Sequence, residues 1–279
     1  MDVRPLTPVL GAEIHGATVP ELIGRDGREV LRTLLLTHGV LVLRGQDTLD
    51  RARHEALGRQ FGALEIFPGH DPDRPCIARI EHGADAPPTE NIWHSDMSFR
   101  PEPPMGAVLR AVTVPASGGD TLFADMREVW RRLPPDLRDV LRPVRAEHSI
   151  AKFAPAALRD ALLAAAPPLA HPVLRVHPET GEEILYVNQA YTTRALGLSP
   201  ARSAELLDFL LRGVTVPEVQ CRIRWQPGTV VLWDNRSLQH YAVGDYLPAR
   251  RVMERVSIAG DAPLGASGTP LPAGSLQPV

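Results

Sequence analysis

The sequence predicts a mostly β protein with helical insertions, folded as a double-sheet jelly roll. Three observations carry this. Short apolar segments recur between turn residues, 28 prolines and 22 glycines are spread along the chain, and few stretches show helical spacing. Turn formers at that density favour short strands over long bundled helices.

Taken in order, residues 20–37 place Leu22, Val30, Leu34 and Leu35 at helix spacing. Gly39 and Gly45 then bracket Val40-Leu41-Val42-Leu43-Arg44, a buried strand. A second helix covers 49–61, with Thr48 as its N-cap and Asp50 in its first turn. Residues 72–88 are turns around a short strand at 76–80, and they lead into a strand carrying His94. Residues 105–114 alternate as a strand, Ser117-Gly118-Gly119-Asp120-Thr121 turns, and 122–125 continues. Two helices, 126–133 and 134–141, are split at Pro134-Pro135, and 156–166 suits either a helix or a lid. Pro178-Glu179-Thr180-Gly181 is a hairpin turn between 174–177 and 183–187. Ser199-Pro200 starts an amphipathic helix that ends near Arg212. The last strands are 220–225 and 229–233, joined by Gln226-Pro227-Gly228, and 251–258. No repeat or linker divides the chain. Residues 1–260 therefore read as one domain and 261–279, rich in Gly, Pro, Ala and Ser, as a flexible tail.

Composition narrows the function. A hydrophobic content of 44% with 23% charged residues suits a soluble domain with a sizeable core. A formal charge of −3 without a basic stripe argues against nucleic acid as partner. No run approaches the roughly 20 apolar residues that span a bilayer, and Met1-Asp2-Val3-Arg4-Pro5 lacks the apolar segment of a secretory signal. Cys76 and Cys221 cannot make a disulfide framework and lack metal-site spacing, so they read as core or near-surface thiols in a cytoplasmic protein. Lys152 is the one lysine, which points to coding bias rather than to function.

His94 and Asp96, in Trp93-His94-Ser95-Asp96, point the same way if the segment is extended, and Ser95 faces away. With a distant His240 they make two imidazoles and one carboxylate, the facial set that leaves three positions open on non-haem Fe(II). Alone the tripeptide is weak, because 10 histidines and 33 acidic residues produce such pairs by chance. Arg255, in the last strand, is suited to bidentate binding of a carboxylate, and Arg251 shares its strand face. The bland alternative is a solvated cluster of Arg250, Arg251 and Arg255. Thr121 offers a hydroxyl to the same carboxylate or, equally, to its own turn. Asp234-Asn235-Arg236 forms a turn that aims His240, and Trp93 and Trp233 pack in the core.

These segments occur together with Gly118-Gly119-Asp120-Thr121, Trp225-Gln226-Pro227-Gly228, Trp233-Asp234-Asn235-Arg236, Gln239-His240-Tyr241-Ala242 and Arg250-Arg251-Val252-Met253-Glu254-Arg255. In that order they resemble the taurine dioxygenase family of Fe(II)/2-oxoglutarate oxygenases, from about Gly11 to Asp261. The resemblance implies a double-stranded β-helix (jelly roll, cupin-like) in homodimers or homotetramers. It implies His94, Asp96 and His240 as iron ligands, with no catalytic residue beyond them. Thr121 and Arg255 match the positions that bind the distal carboxylate of 2-oxoglutarate, and Arg251 a supporting one. Phe67 stands where taurine-oxidising members carry a sulfonate-binding histidine, with His70 three residues on. Asn91 departs from the taurine pattern, and Tyr191 matches an aromatic lining the substrate pocket.

The expected reaction joins Fe(II), 2-oxoglutarate and O2 to hydroxylate an unactivated C–H bond of a small, anionic substrate. A sulfonate, alkyl sulfate, aryloxy acid or natural-product-type acid fits, with succinate and CO2 released. Desaturation or ring formation by the same cofactors is an alternative outcome. Halogenation is disfavoured because Asp96 fills the position a halide needs. A zinc hydrolase leaves Arg255 and Thr121 without a task, and a non-catalytic jelly-roll binding protein leaves the triad without one.

Overall fold

A computed structural model of the chain describes residues 1–66 and 72–266. Seven strands form the larger sheet, in spatial order β1 (Asp2–Pro5), β2 (Ala12–His15), β3 (Val40–Leu43), β13 (Val230–Asp234), β5 (Gly106–Thr113), β15 (Arg251–Ile258) and β4 (Ala78–His82). Only β2 and β3 run parallel. A smaller antiparallel sheet consists of β12 (Gln220–Ile223), β6 (Thr121–Asp125) and β14 (Leu238–Ala242). Outside it lie β11 (Thr192–Ala195), β7 (Arg145–His148) and β8 (Leu169–Pro172), and a hairpin of β9 (Leu174–Val176) with β10 (Glu183–Leu185).

Period-two alternation sorts the side chains between layers. In β3, Val40 and Val42 enter the core shared by the two sheets, whereas Leu41 and Leu43 face the helices. In β13, Val231 and Trp233 point inward and Val230 and Leu232 outward. The smaller sheet meets them with Phe123, Ile223 and Leu238. Helices α1 (Val19–Leu22), α2 (Arg25–His38) and α3 (Arg51–Arg59) cover the outer face of the larger sheet through Leu22, Leu31, Leu35 and Leu57. Behind the smaller sheet, α4 (Met126–Arg131), α5 (Pro135–Leu141) and α7 (Pro200–Leu211) close a third core around Trp130, Leu141 and Leu207. Each fully buried Leu or Phe contributes roughly 1.5–3 kcal/mol of transfer free energy, so cohesion is spread over three layers. No helix among the described residues is long and apolar enough to cross a membrane.

Several boundaries differ from the sequence reading, each for a local reason. The helix expected over 20–37 breaks at Ile23 and Gly24, where Gly24 takes a φ of 135°. Asp50, not Thr48, caps α3, because its Oδ1 accepts from Arg53 N at 2.7 Å. The strand expected at 76–80 lies at β4, two residues later. Residues 156–166 are helical: a 3₁₀ turn over Ala156–Leu158 precedes α6 (Arg159–Ala165). The strand β14, which holds His240, was read only as the end of a turn. Past Asp261 the chain still pairs with β9, since Val176 N donates to Leu264 O at 2.8 Å.

Two buried ion networks hold the ends of the site strands. Glu254 of β15 accepts from Arg51 of α3 at 2.6 Å and from Arg110 of β5 at 2.8 Å. Asp234, ending β13, accepts from Arg236 at 2.6 Å and from His177 Nε2 at 3.0 Å. Burial opposes ionisation of Asp234, but Arg236 and His177 outweigh it and hold the carboxyl far below the usual range. Asp234→Asn removes the carboxylate charge facing Arg236 and His177, leaving Arg236 paired with Glu179 alone at 2.7 Å, and is expected to cost about 1.5–3 kcal/mol in urea unfolding at pH 7. Because the folded pKa is depressed, this contribution is complete above the unfolded value of about 3.9 and lost only as pH falls further. The penalty should therefore shrink only in strong acid; an equal unfolding free energy for both proteins at pH 7 would contradict the assignment.

Candidate metal centre and active site

His240 sits mid-strand in β14, directly opposite Phe123 of β6, and opposed residues of an antiparallel pair share a face. That face looks into the space between the two sheets. On its other edge, β14 meets the segment around His94, with Ala242 N also donating to Glu90 O at 3.3 Å. His94 N donates to His240 O at 3.0 Å and His240 N donates to His94 O at 2.8 Å. The HxD segment is thus one bridge residue followed by a turn, not the strand expected from its spacing. Ser95 does face away and donates to Leu238 O at 2.8 Å.

The turn still brings Asp96 to the two imidazoles. Asp96 Oδ1 lies 3.9 Å from His94 Nε2 and 4.0 Å from His240 Nε2, and the three residues offer ligand atoms within 4.8 Å of one another. His94 Nδ1 is 2.8 Å from Ile92 O. A carbonyl only accepts, so Nδ1 carries the proton and Nε2 presents its lone pair to the centre. Burial, then the neighbouring His94, lowers the His240 pKa to about 3, leaving that ring neutral. Asp96 is buried, which opposes ionisation, but the neighbouring Arg255 guanidinium holds it below the usual carboxylate range. Asp96 Oδ2 is buried without a hydrogen-bond partner. An orphaned carboxylate oxygen beside two imidazoles fits a divalent cation.

Asn235 is the residue that shapes the turn. Its Oδ1 accepts from Asp96 N at 2.7 Å, and its Nδ2 donates to Asp96 O at 3.1 Å and to Pro104 O at 2.9 Å. The sequence reading placed it in a turn aiming His240; its grip on the other end of the triad left no spacing signal.

A cavity of about 510 Å³, including its open mouth, extends from the triad between the sheets. Ile80, Leu109, Phe123, Trp233 and Met253 give it apolar walls, and Thr121, Arg251 and Arg255 also line it. The structure separates the two arginines. Arg255 donates to Asp96 Oδ1 at 3.0 Å. Arg251 lies over the Trp225 ring, 5.7 Å from its centroid, and Trp225 Nε1 donates to Thr121 Oγ1 at 2.9 Å. Arg251 is therefore the arginine at Thr121's end, the place expected for Arg255. Gly119 makes room there: its φ is +70°, and a Cβ would lie 3.2 Å from Arg251 Cδ. Tyr191 stands edge-on to His94 at 6.5 Å, between Phe99 at 5.0 Å and Phe153 at 5.5 Å. Asn91 is exposed, and its neighbour Glu90 is the one that lines the cavity, 3.0 Å from His82 Nε2. Phe67 and His70 lie outside the described residues. Trp93 and Trp233 are buried in the core as expected, and Trp233 also packs 5.2 Å from the His240 ring. Cys76 and Cys221 are free and buried.

A model of the taurine catabolism dioxygenase TauD, TfdA family matches residues 2–257. The chain belongs to the TauD/TfdA family. It is 34% identical over 284 residues to an alpha-ketoglutarate-dependent sulfate ester dioxygenase of Pseudomonas putida, covering 96% of this chain and 92% of that protein. It is 32% identical over 292 residues to pentalenolactone F synthase of Streptomyces arenae, covering 95% and 97%. The crystal structure of a taurine dioxygenase from Burkholderia xenovorans superposes with a TM-score of 0.85 at 32% identity, covering 96% and 94%. As a TauD/TfdA member the chain is an Fe(II)- and 2-oxoglutarate-dependent dioxygenase that uses O2.

Removing a group that orients a metal ligand typically weakens metal affinity about 10–100-fold. Asn235→Ala should lose Co(II) affinity on that scale in a calorimetric titration of the metal-free protein, and unchanged affinity would remove Asn235 from the site.

Proposed function

We propose that this dioxygenase hydroxylates an unactivated C–H bond of a small acid, such as a sulfonate, alkyl sulfate, aryloxy acid or natural-product-type acid. The observation that supports it is one cavity between the sheets that brings the triad on one side to two arginines on the other, with Thr121, Glu90 and apolar residues completing its lining. His94, Asp96 and His240 would hold Fe(II). When bound, Fe(II) supplies the redox chemistry by which O2 converts 2-oxoglutarate to succinate and CO2 and leaves an oxygen atom on the substrate.

The protein's own residues set the geometry. Arg251 and Thr121 take the distal carboxylate of 2-oxoglutarate, with Trp225 fixing the threonine hydroxyl. Arg255 orients Asp96 and faces the anionic group nearest the metal. Leu109, Phe123, Trp233 and Met253 exclude water, which strengthens each charged contact beside them. Tyr191, with Phe99 and Phe153 behind it, forms the wall nearest His94. Glu90 faces the same cavity and disfavours a second acid group on that side. We further propose that the facing sheets are a double-stranded β-helix and that the enzyme works in the cytoplasm as a homodimer or homotetramer. Light scattering coupled to gel filtration tests the last point.

Aerobic incubation with Fe(II), 2-oxoglutarate and a panel of sulfonates, alkyl sulfates, aryloxy acids and neutral analogues should release succinate with an acid. Stimulation by neutral compounds alone would sink the substrate class. Hydrogen bonds to charged groups are worth about 1.5–3 kcal/mol. Arg251→Ala should therefore raise the KM for 2-oxoglutarate roughly 10- to 100-fold, and Arg255→Ala should chiefly impair use of the acid substrate. The reverse pattern would make Arg255 the anchor.

A further inference from the structure

Behind the Tyr191 wall lies a buried polar cluster with no part in the chemistry above. Ser98, two residues after Asp96, His148 at the end of β7, Asn188 and Thr192 are each exposed by 1% or less. Asn188 Nδ2 donates to Ser98 Oγ at 2.8 Å, and Asn188 Oδ1 accepts from Tyr191 N at 2.9 Å. Asn188 N donates to Thr192 Oγ1 at 2.9 Å. Ser98 Oγ lies 3.0 Å from His148 Nδ1, and His148 Nε2 is 3.4 Å from Thr192 Oγ1. Because an amide nitrogen only donates, Ser98 accepts from Asn188, and in the His148 tautomer protonated at Nε2 its own proton goes to His148 Nδ1. The ring can receive that proton only when neutral. Burial, then the neighbouring His171, keeps the His148 pKa well below the ordinary imidazole value.

We propose that Ser98, His148 and Asn188 form a positioning relay that seats Tyr191 against His94 and fixes the turn following Asp96. It rests on the reading that His94 binds the metal and Tyr191 walls the site. Met97, between Asp96 and Ser98, adopts a φ of 49°, unusual for a residue with a side chain. It is held from both sides, by Asn235 on the Asp96 backbone and by His148 and Asn188 on Ser98. The outer side of the Tyr191 turn is tied by Ser149 N, which donates to Tyr191 O at 2.9 Å, and by Lys152 Nζ, which donates to Thr192 O at 2.8 Å. The inner relay then determines how deep the tyrosine sits. Deleting the His148 acceptor leaves a buried serine proton unpaired, which the turn relieves by shifting.

The chain has four tyrosines, Tyr186, Tyr191, Tyr241 and Tyr246, so 3-fluorotyrosine labelling gives four ¹⁹F resonances. The Tyr191 line is identified by its loss in Tyr191→Phe. Co(II) at the triad should displace it strongly, since its ring is 6.5 Å from that of His94. Ser98→Ala and His148→Leu should each reduce or broaden that cobalt-induced shift, the double variant should do no more than either, and His148→Asn, which restores an acceptor, should recover it. Tyr186 stacks on His148 at 5.7 Å and moves for trivial reasons, so only the Tyr191 line decides. Ser98→Ala keeps the test valid if His148→Leu does not fold. A cobalt shift at Tyr191 that persists unchanged in both variants, even with lowered stability, overturns the relay. Absence of the shift in the unmodified protein overturns the metal-centre reading itself and the relay with it.

Discussion

Two backbone hydrogen bonds between His94 and His240 carry the site, because they join segments that the sequence keeps far apart. The β14 strand is committed on its other edge to β6, so its position is set by the whole smaller sheet. His94 docks on the remaining edge, and the separation of the two imidazoles becomes a property of sheet geometry, with ring centroids 4.1 Å apart. Side-chain contacts refine this placement. Backbone pairing is indifferent to side-chain identity, which leaves the surrounding residues free to vary without dispersing the two imidazoles.

Charge in the cavity is balanced by position. At one end Arg255 lies against Asp96, so a carboxylate that is buried with its neighbours remains ionised. At the other, Arg251 is buried over Trp225 with Thr121 close by, and burial lowers its pKa from the ordinary guanidinium value. The lowering marks an incompletely compensated cation, which an incoming carboxylate would stabilise. Between the two ends lie apolar side chains, where an anionic ligand exchanges water for two fixed cations rather than for a uniform field.

The layers were legible in the sequence wherever alternation was strong. The strands β3 and β13 bury one face against helices and the other against the smaller sheet, so their pattern is continuous and apolar, whereas β5 and β15 alternate. Strands such as β7, β8 and β11 went unseen. Each has four residues, and sequences such as Arg145-Ala146-Glu147-His148 alternate too briefly to register. The His94, Asp96 and His240 set was recognisable because the chemistry of a metal site restricts residue types. The family resemblance rested on whole motifs, which is also why Arg251 and Arg255 were hard to tell apart. Both lie on one face of one strand, and only the third dimension shows which of them shares Trp225 with Thr121. The Ser98–His148–Asn188 cluster was invisible, since a polar residue satisfied inside the fold resembles one satisfied by water.

The β15 strand sorts its charges by parity. Arg251 and Arg255 project to the cavity, while Glu254, between them in sequence, turns to the helix layer and meets Arg51 and Arg110. A slip of one register along β15 would therefore turn Glu254 toward the cavity and bring Arg251 and Arg255 to the side where Arg51 and Arg110 lie. Misalignment of this strand is penalised on both faces at once, so the pairing of β15 with β4 and β5 has an electrostatic proofreading that its apolar residues alone would not provide.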